Sequence, residues 1–309
     1  DFKITKSSQN LYLPIDYILE LGGKRIRPFL TLMAAESFGA KPKEALPAAL
    51  SVEVFHNFTL MHDDIMDDAP LRRGKTTVHE KWDINTAILS GDAMLIRAYQ
   101  LLEDYPPLMF VKLNKLLSRT ALEVCEGQQY DIDFEKLNDV SQEDYIEMIR
   151  LKTAVLVGCA LKMGAAVALA PETDCQLFYD FGIQLGLAFQ LQDDYLDAFG
   201  NPETFGKQVG GDILENKKTI LYHLALKKGT QQQQDRLNEL LSSGDEIAAN
   251  QKIAEVKALF EVTEARSSTR DLISDYAKKA DEKLGAISIS EEQKQKFVAL
   301  KQWLMNRDH

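Results

Sequence analysis

Long apolar runs with a helical period dominate this chain, and several are apolar on more than one face. A helix of that kind has to be surrounded by other helices, because a single buried stripe leaves its remaining faces exposed to water. Glycine (17) and proline (9) are sparse. They fall mainly between the periodic segments, and no alternating run is flanked by hairpin dipeptides. The spacing predicts helices near 25–38, 44–68, 84–102, 107–130, 142–169, 173–198, 217–227, 232–241, 246–285 and 290–306. Breaks are expected at Lys41-Pro42, Ala69-Pro70, Pro106-Pro107, Ala170-Pro171 and Asn201-Pro202. No Ser/Gly-rich linker divides the chain and no period of 20–50 residues repeats, so the prediction is one all-α domain over residues 1–309. The most apolar stretch, Ala154–Ala170, is interrupted by Lys162 and is too short to span a bilayer convincingly, so it is expected as a buried core helix and no transmembrane segment is expected.

Two of these helices end in carboxylates. The first ends in His62-Asp63-Asp64-Ile65-Met66-Asp67-Asp68. At 100° per residue Asp63 and Asp67 lie one turn apart on one face, with Asp64 and Asp68 beside them. Acids gathered at a helix C-terminus repel one another and oppose the helix dipole. A solvated acidic end is one reading and bound cations are the other. Hard oxygen ligands of this kind suit Mg²⁺, which commonly links carboxylates to substrate phosphates. The second cluster, Gln190-Leu191-Gln192-Asp193-Asp194-Tyr195-Leu196-Asp197, repeats the spacing at Asp193, Asp194 and Asp197. Gly182 and Gly186 precede it and leave bare backbone, either for a ligand or for close helix packing. Two such clusters together point to one metal–diphosphate site.

Cations accompany the acids. Lys24, Arg25 and Arg27 are concentrated in Gly22–Pro28, Arg72-Arg73 follows the first cluster, and Lys207 and Lys217 follow the second. Arginine forks onto phosphate and lysine supplies a mobile point charge. The chain as a whole carries a net charge of -11, which argues against nucleic-acid binding but not against a phosphorylated small molecule. Its three cysteines, Cys125, Cys159 and Cys175, form no CxxC pair. They imply a reducing, cytoplasmic setting without a cysteine zinc site or disulfide framework.

With GGKRIRP, FHNFTLMHDDIMDDAPLRRG, LKTAVL, FQLQDDYLDAFG and GKQVGGDILENKKT in this order, the chain resembles the trans-prenyltransferase (polyprenyl synthetase) family along nearly its whole length. The resemblance implies a bundle of mostly antiparallel helices around a deep cavity, of the isoprenoid synthase type. It implies Mg²⁺, three ions per active site, held by the aspartate motifs at Asp63, Asp64, Asp67, Asp193, Asp194 and Asp197, with Asp63, Asp67 and Asp193 as the bridging ligands. Arg72, Lys152, Lys207 and Lys217 would contact the allylic diphosphate. Lys24, Arg27, His56 and Arg73 would hold that of isopentenyl diphosphate. Thr153 and Gln190 would lie by the reacting carbons, with Gln128 and Asp131 behind them. The allylic partner would be dimethylallyl, geranyl or farnesyl diphosphate, and the enzyme would be a homodimer.

Other readings fit fewer residues. A class I terpene cyclase or a head-to-head synthase has no need of the Gly22–Pro28 cations or Arg73. A non-catalytic synthase subunit tends to lose aspartates that are intact here, and a plain calcium-binding bundle leaves the cations unexplained. In this family the growing chain runs from the first aspartate motif along its own helix, and an isoprene unit adds roughly 5 Å, about one helical turn; the resemblance therefore implies that residues upstream of Asp63 limit chain length. Phe58 is bulky, Thr59 is small and Phe55 lies further back. In the family's pattern this combination favours a twenty-carbon product, geranylgeranyl diphosphate, over the fifteen-carbon farnesyl diphosphate.

Overall fold

A computed structural model describes residues 9–137, 140–201, 209–242 and 247–306. The described chain is all-α apart from one two-stranded hairpin. Two compact units can be distinguished: residues 1–119 with 159–175, and residues 120–158 with 176–309.

The first unit holds α1 (Gln9–Glu20), α2 (Ile26–Ser37), α3 (Pro42–Met66), the hairpin β1 (Leu71–Arg72) and β2 (Lys75–Thr76), α4 (Val78–Lys81) and α5 (Ile84–Gln100). Pro42 opens α3, where a missing N–H costs nothing, and the Glu44 carboxylate accepts the Lys41 N–H at 2.8 Å. The helix buries Ala45, Ala48, Val52, Phe55 and Met61, and its middle is enclosed on most sides. This continuous burial is the physical content of an apolar run without one polar face. α3 packs on α2 and α5. It stops at Met66, two residues earlier than the pattern suggests, because Asp68 turns left-handed (φ 48°). Asp68 therefore leaves the helical face it was expected to share.

In the second unit, Ser141 and Asp144 cap α7 (Gln142–Ile149) reciprocally. The helix expected over 142–169 is interrupted by a π-helical segment, Arg150–Ala154, and resumes as α8 (Val155–Val167). α6 (Pro107–Lys136), α8 and α9 (Glu172–Phe199) contribute residues to both units. A short α10 (Gly211–Leu214) precedes α11 (Ile220–Lys228) and α12 (Gln231–Ser242). The long helix expected over 246–285 is two helices, α13 (Ala249–Val262) and α14 (Ala265–Ala286), broken where Glu264 takes φ 58°. Phe297 of α15 (Glu291–Met305) meets Phe178 and Phe181 of α9 at 5.3 and 5.9 Å.

In the first unit α8 packs against α2 at Gly164, where an added Cβ would lie 2.0 Å from the Thr31 carbonyl oxygen. That neighbour is backbone and cannot move aside cheaply. Gly164→Ala is expected to destabilise the protein by about 1–3 kcal/mol, the usual cost of overpacking, measured by urea unfolding. Unchanged stability would show that the two helices can separate freely.

Candidate active site

The first unit gathers cations around His56. Gly22 (φ 87°), Gly23 (φ 117°) and Arg25 (φ 49°) form the left-handed approach to α2. Arg25 is committed to this turn: its guanidinium donates to the Leu19 carbonyl and to the buried Glu53, which also accepts from Asn57 at 2.9 Å. Arg27 lies 3.2 Å from His56 Nε2. Since a guanidinium can only donate, that nitrogen is the acceptor and the imidazole proton resides on Nδ1. Burial holds His56 well below its usual pKa, and Arg27, Arg73, Arg72 and Arg25 press it further in the same direction. His56 is neutral and orients Arg27.

Arg73 and Gly74 occupy the two turn positions of the hairpin, both with positive φ (53° and 73°), as a two-residue turn between twisted strands requires. The Arg73 guanidinium donates to the Gly22 carbonyl and lies over Gly23, where a Cβ would come within 2.7 Å of it. Burial lowers the Arg73 pKa, and repulsion from Arg25 and Arg72 adds to the effect. Arg72 forks onto Asp64 through Nε (2.7 and 2.9 Å) and Nη2 (2.7 Å), and stands 3.9 Å from Asp63. Asp64 is buried. Desolvation raises its pKa while Arg72 pulls it back. Asp63 is half-buried, and Asp67, at the end of α3, is exposed. Lys24 is exposed.

In the second unit the π segment carries Lys152 and Thr153. Such a bulge adds a residue to a turn and re-aims the side chains there. Two glycines make room for it. A Cβ on Gly127 of α6 would lie 2.3 Å from the Lys152 nitrogen, and one on Gly186 of α9 would lie 2.7 Å from the Ala154 Cα. Gly186 thus serves helix packing, one of the two uses open from the sequence. Lys152 pairs with Asp131, one turn beyond Gln128 on the same helix. Thr153 donates to the Gln190 carbonyl oxygen at 3.2 Å, Gln190 Nε2 donates to Asp194 at 3.0 Å, and the Tyr145 hydroxyl donates to Asp194 at 2.5 Å. Asp194 therefore fixes which end of the Gln190 amide faces Thr153. Asp197 is also buried, and accepts the Asp212 N–H at the start of α10 at 3.0 Å. Asp193 is half-buried. A cavity of about 170 Å³ is lined by Lys152, Thr153, Gln190, Asp194 and Lys217 among others. Lys217 pairs with Glu215 at 2.7 Å. Lys207 lies outside the described residues.

Each aspartate set is therefore divided. Asp64, Asp194 and Asp197 are buried and accept hydrogen bonds from protein donors, while Asp63, Asp67 and Asp193 are more open. The more open carboxylates are hard oxygen donors without a soft ligand among them, which fits Mg²⁺. Tyr145, Glu53 and the π segment are absent from the sequence-level site. Tyr145 lies outside the quoted motifs, ahead of LKTAVL, and carries no local signal. Glu53 sits one turn before Asn57 and is legible only once Arg25 is placed beside it. His62 also gains a structural role: its ring meets Phe58 edge-on at 4.8 Å, and a Cβ at Gly91 would lie 2.2 Å from it.

The polyprenyl synthetase family profile matches residues 8–261. A geranylgeranyl pyrophosphate synthase of Geoglobus acetivorans is 37% identical over 304 residues, covering 97% of this chain and 92% of that protein. A short chain isoprenyl diphosphate synthase of Methanothermobacter thermautotrophicus is 35% identical, covering 95% and 89%. The crystal structure of a geranylgeranyl pyrophosphate synthase superposes with a TM-score of 0.95 at 54% identity, covering 98% of this chain and 94% of that one. The chain belongs to the polyprenyl synthetase family and is a trans-prenyl diphosphate synthase. No helix among the described residues is long and apolar enough to cross a membrane.

Burial also sets protonation around Tyr145, whose ring lies 5.3 Å from that of His223. Desolvation raises Asp194 to about 7 against the pull of its hydrogen bonds from Tyr145 and Gln190, with Asp212 and Asp193 pushing the same way as burial. Desolvation lowers His223 to about 4. The signs oppose. From pH 4 to 6.5 the unfolded chain binds the extra proton at His223, so this residue makes stability rise with pH; at Asp194 the folded protein binds the extra proton and stability falls with pH up to 7. His223→Gln in the metal-free protein is expected to remove only the rising contribution. The stability of wild type relative to the variant should increase by up to about 3 kcal/mol between pH 4 and 6.5, measured by urea unfolding in chelator. A difference independent of pH would contradict the neutral buried imidazole.

Proposed function

We propose that this enzyme joins isopentenyl diphosphate head-to-tail (1′–4) to dimethylallyl, geranyl or farnesyl diphosphate, releases diphosphate, and makes mainly the twenty-carbon geranylgeranyl diphosphate. Support for the product comes from the wall one turn before Asp63. Phe58 is buried with its ring against Phe55 (5.5 Å) and His62, whereas Thr59 is small and half-buried, its hydroxyl donating within its own helix to the His56 carbonyl at 2.8 Å. A short side chain there leaves length for one more isoprene unit than an aromatic would. The naming of the Geoglobus relative and of the superposed crystal structure as geranylgeranyl pyrophosphate synthases supports the same reading.

The roles follow from the chemistry. The isopentenyl diphosphate is held by Arg27, oriented by neutral His56, together with Arg73 and Lys24. The allylic diphosphate is held by Arg72, Lys152, Lys217 and Lys207. Enzymes of this family use Mg²⁺. We assign three ions to Asp63, Asp67 and Asp193, with Asp64 anchoring Arg72 and with Asp194 and Asp197 in supporting roles. Bound Mg²⁺ neutralises the charge that develops on the departing diphosphate. The allylic C–O bond breaks, the isopentenyl double bond attacks the resulting carbocation, and the released diphosphate takes the proton lost from the adduct. The Thr153 hydroxyl and Gln190 carbonyl oxygen place dipoles beside the cation without offering a nucleophile, and Gln128 and Asp131 support Lys152 from α6. We further propose that the whole chain acts as one catalytic domain, as a homodimer, in the cytoplasm, where its three thiols stay reduced.

Two experiments test this reading. Asp63→Ala and Asp193→Ala are each expected to lose several kcal/mol of transition-state stabilisation, at about tenfold in rate per 1.4 kcal/mol, while circular dichroism stays unchanged. Turnover near wild type in both would remove the aspartates from the reaction. For the product, chromatography after dephosphorylation is expected to show longer chains from Phe58→Ala and shorter ones from Thr59→Phe. An unchanged distribution in both would place the floor on another helix.

A further inference from the structure

The hairpin that carries Arg72 and Arg73 is bracketed by a second cluster of donors. Asp68 leaves the end of α3, and His79 and Glu80 lie on α4 just beyond the hairpin. One ligand atom from each of the three lies within 4.8 Å of the others. His79 Nε2 is 4.0 Å from Asp68 Oδ1 and 3.9 Å from Glu80 Oε1. The His79 side chain is only 3% exposed, yet neither of its ring nitrogens has a hydrogen-bond partner among the described residues. A buried imidazole so placed forfeits its hydration without compensation. The two carboxylates it faces are themselves accessible, Asp68 at 97% and Glu80 at 51%.

We propose that Asp68, His79 and Glu80 form a binding site for a borderline-soft divalent transition metal, such as Zn²⁺ or Co²⁺, separate from the Mg²⁺ ligands of the aspartate motifs. An imidazole nitrogen with two carboxylate oxygens is a donor set for zinc-like ions, whereas Mg²⁺ strongly prefers oxygen alone. Tetrahedral coordination at about 2.0–2.2 Å needs donors roughly 3.3–3.5 Å apart. The two exposed carboxylates reach that spacing by small rotamer changes, while buried His79 stays in place. Three protein ligands leave a fourth position for water. Among the described residues His79 Nδ1 has no partner to orient the ring, so the site is expected to bind in the micromolar range rather than tightly. An ion held there ties the end of α3 to α4 across residues 69–77 and fixes the base of the Arg72–Arg73 hairpin. The proposal does not depend on the reaction assigned above.

The test is a titration of the chelator-stripped full-length protein with Zn²⁺ alone, in a background of millimolar Mg²⁺ to fill the hard sites, against a chromophoric competitor. One equivalent is expected in wild type and in Asp63→Asn. Glu80→Gln, at an exposed position where the fold is not at risk, and His79→Gln are each expected to weaken it at least about tenfold. Zinc should also move one imidazole ¹⁵N resonance, absent from His79→Gln, and slow amide exchange at residues 71–77. No stoichiometric zinc, zinc binding by Glu80→Gln within about twofold of wild type, or loss of binding in Asp63→Asn would each overturn the proposal.

Discussion

Four guanidinium groups, those of Arg25, Arg27, Arg72 and Arg73, act electrostatically on one buried imidazole, and the organisation of the first unit depends on keeping them there. Like charges so close repel, and burial lowers the Arg73 pKa further. The chain holds them by fixing each one differently. Arg25 is neutralised by Glu53, Arg72 by Asp64, Arg73 is seated on the Gly22 carbonyl, and Arg27 is oriented by His56. Glu53 and Asp64 bring negative charge to the cluster, and His56, kept neutral, adds no further positive charge. The left-handed residues follow from the same need, because Gly23 must be bare for Arg73 to lie across it.

The carboxylates show a parallel division. A motif of three acids looks like three equivalent ligands, but burial separates them. Asp64 and Asp194 each sit under a donor, Arg72 in one case and Tyr145 with Gln190 in the other, and Asp197 caps α10. The buried acids shape the positions of Arg72, Gln190 and α10. The more open ones, Asp63, Asp67 and Asp193, are those proposed to hold Mg²⁺. Thr153, Gln190, Asp194 and Tyr145 form one hydrogen-bonded chain, so the carbonyl dipole proposed beside the carbocation is set by a residue on α7.

Much of this was legible in the sequence, for physical reasons. A chain with long multi-faced apolar helices has few architectures open to it, and the helix boundaries follow where proline or a capping side chain marks them, as at Pro42 and Ser141. The break at Glu264 was not legible, because a left-handed glutamate has no composition signal. Nor was the π segment: its sequence reads as ordinary helix, and it exists because Gly127 and Gly186 let two other helices approach it. Asp68 was expected in the helix, beside the face of Asp63 and Asp67, and instead turns left-handed, 4.0 Å from His79. The candidate site's charged residues are legible because charge clustered in an acidic chain is conspicuous. Tyr145 and Glu53 were missed because their importance lies in partners distant in sequence.

We propose the arginine cluster of the first unit as a diphosphate receptor that works before any metal binds. Calorimetric titration of isopentenyl diphosphate into the metal-free enzyme addresses it directly. The account expects measurable binding that Arg73→Gln weakens at least about tenfold, the loss of one charge-assisted contact, while Lys152→Gln leaves it within about twofold. Binding that requires Mg²⁺, or that depends on Lys152 as strongly as on Arg73, would contradict it.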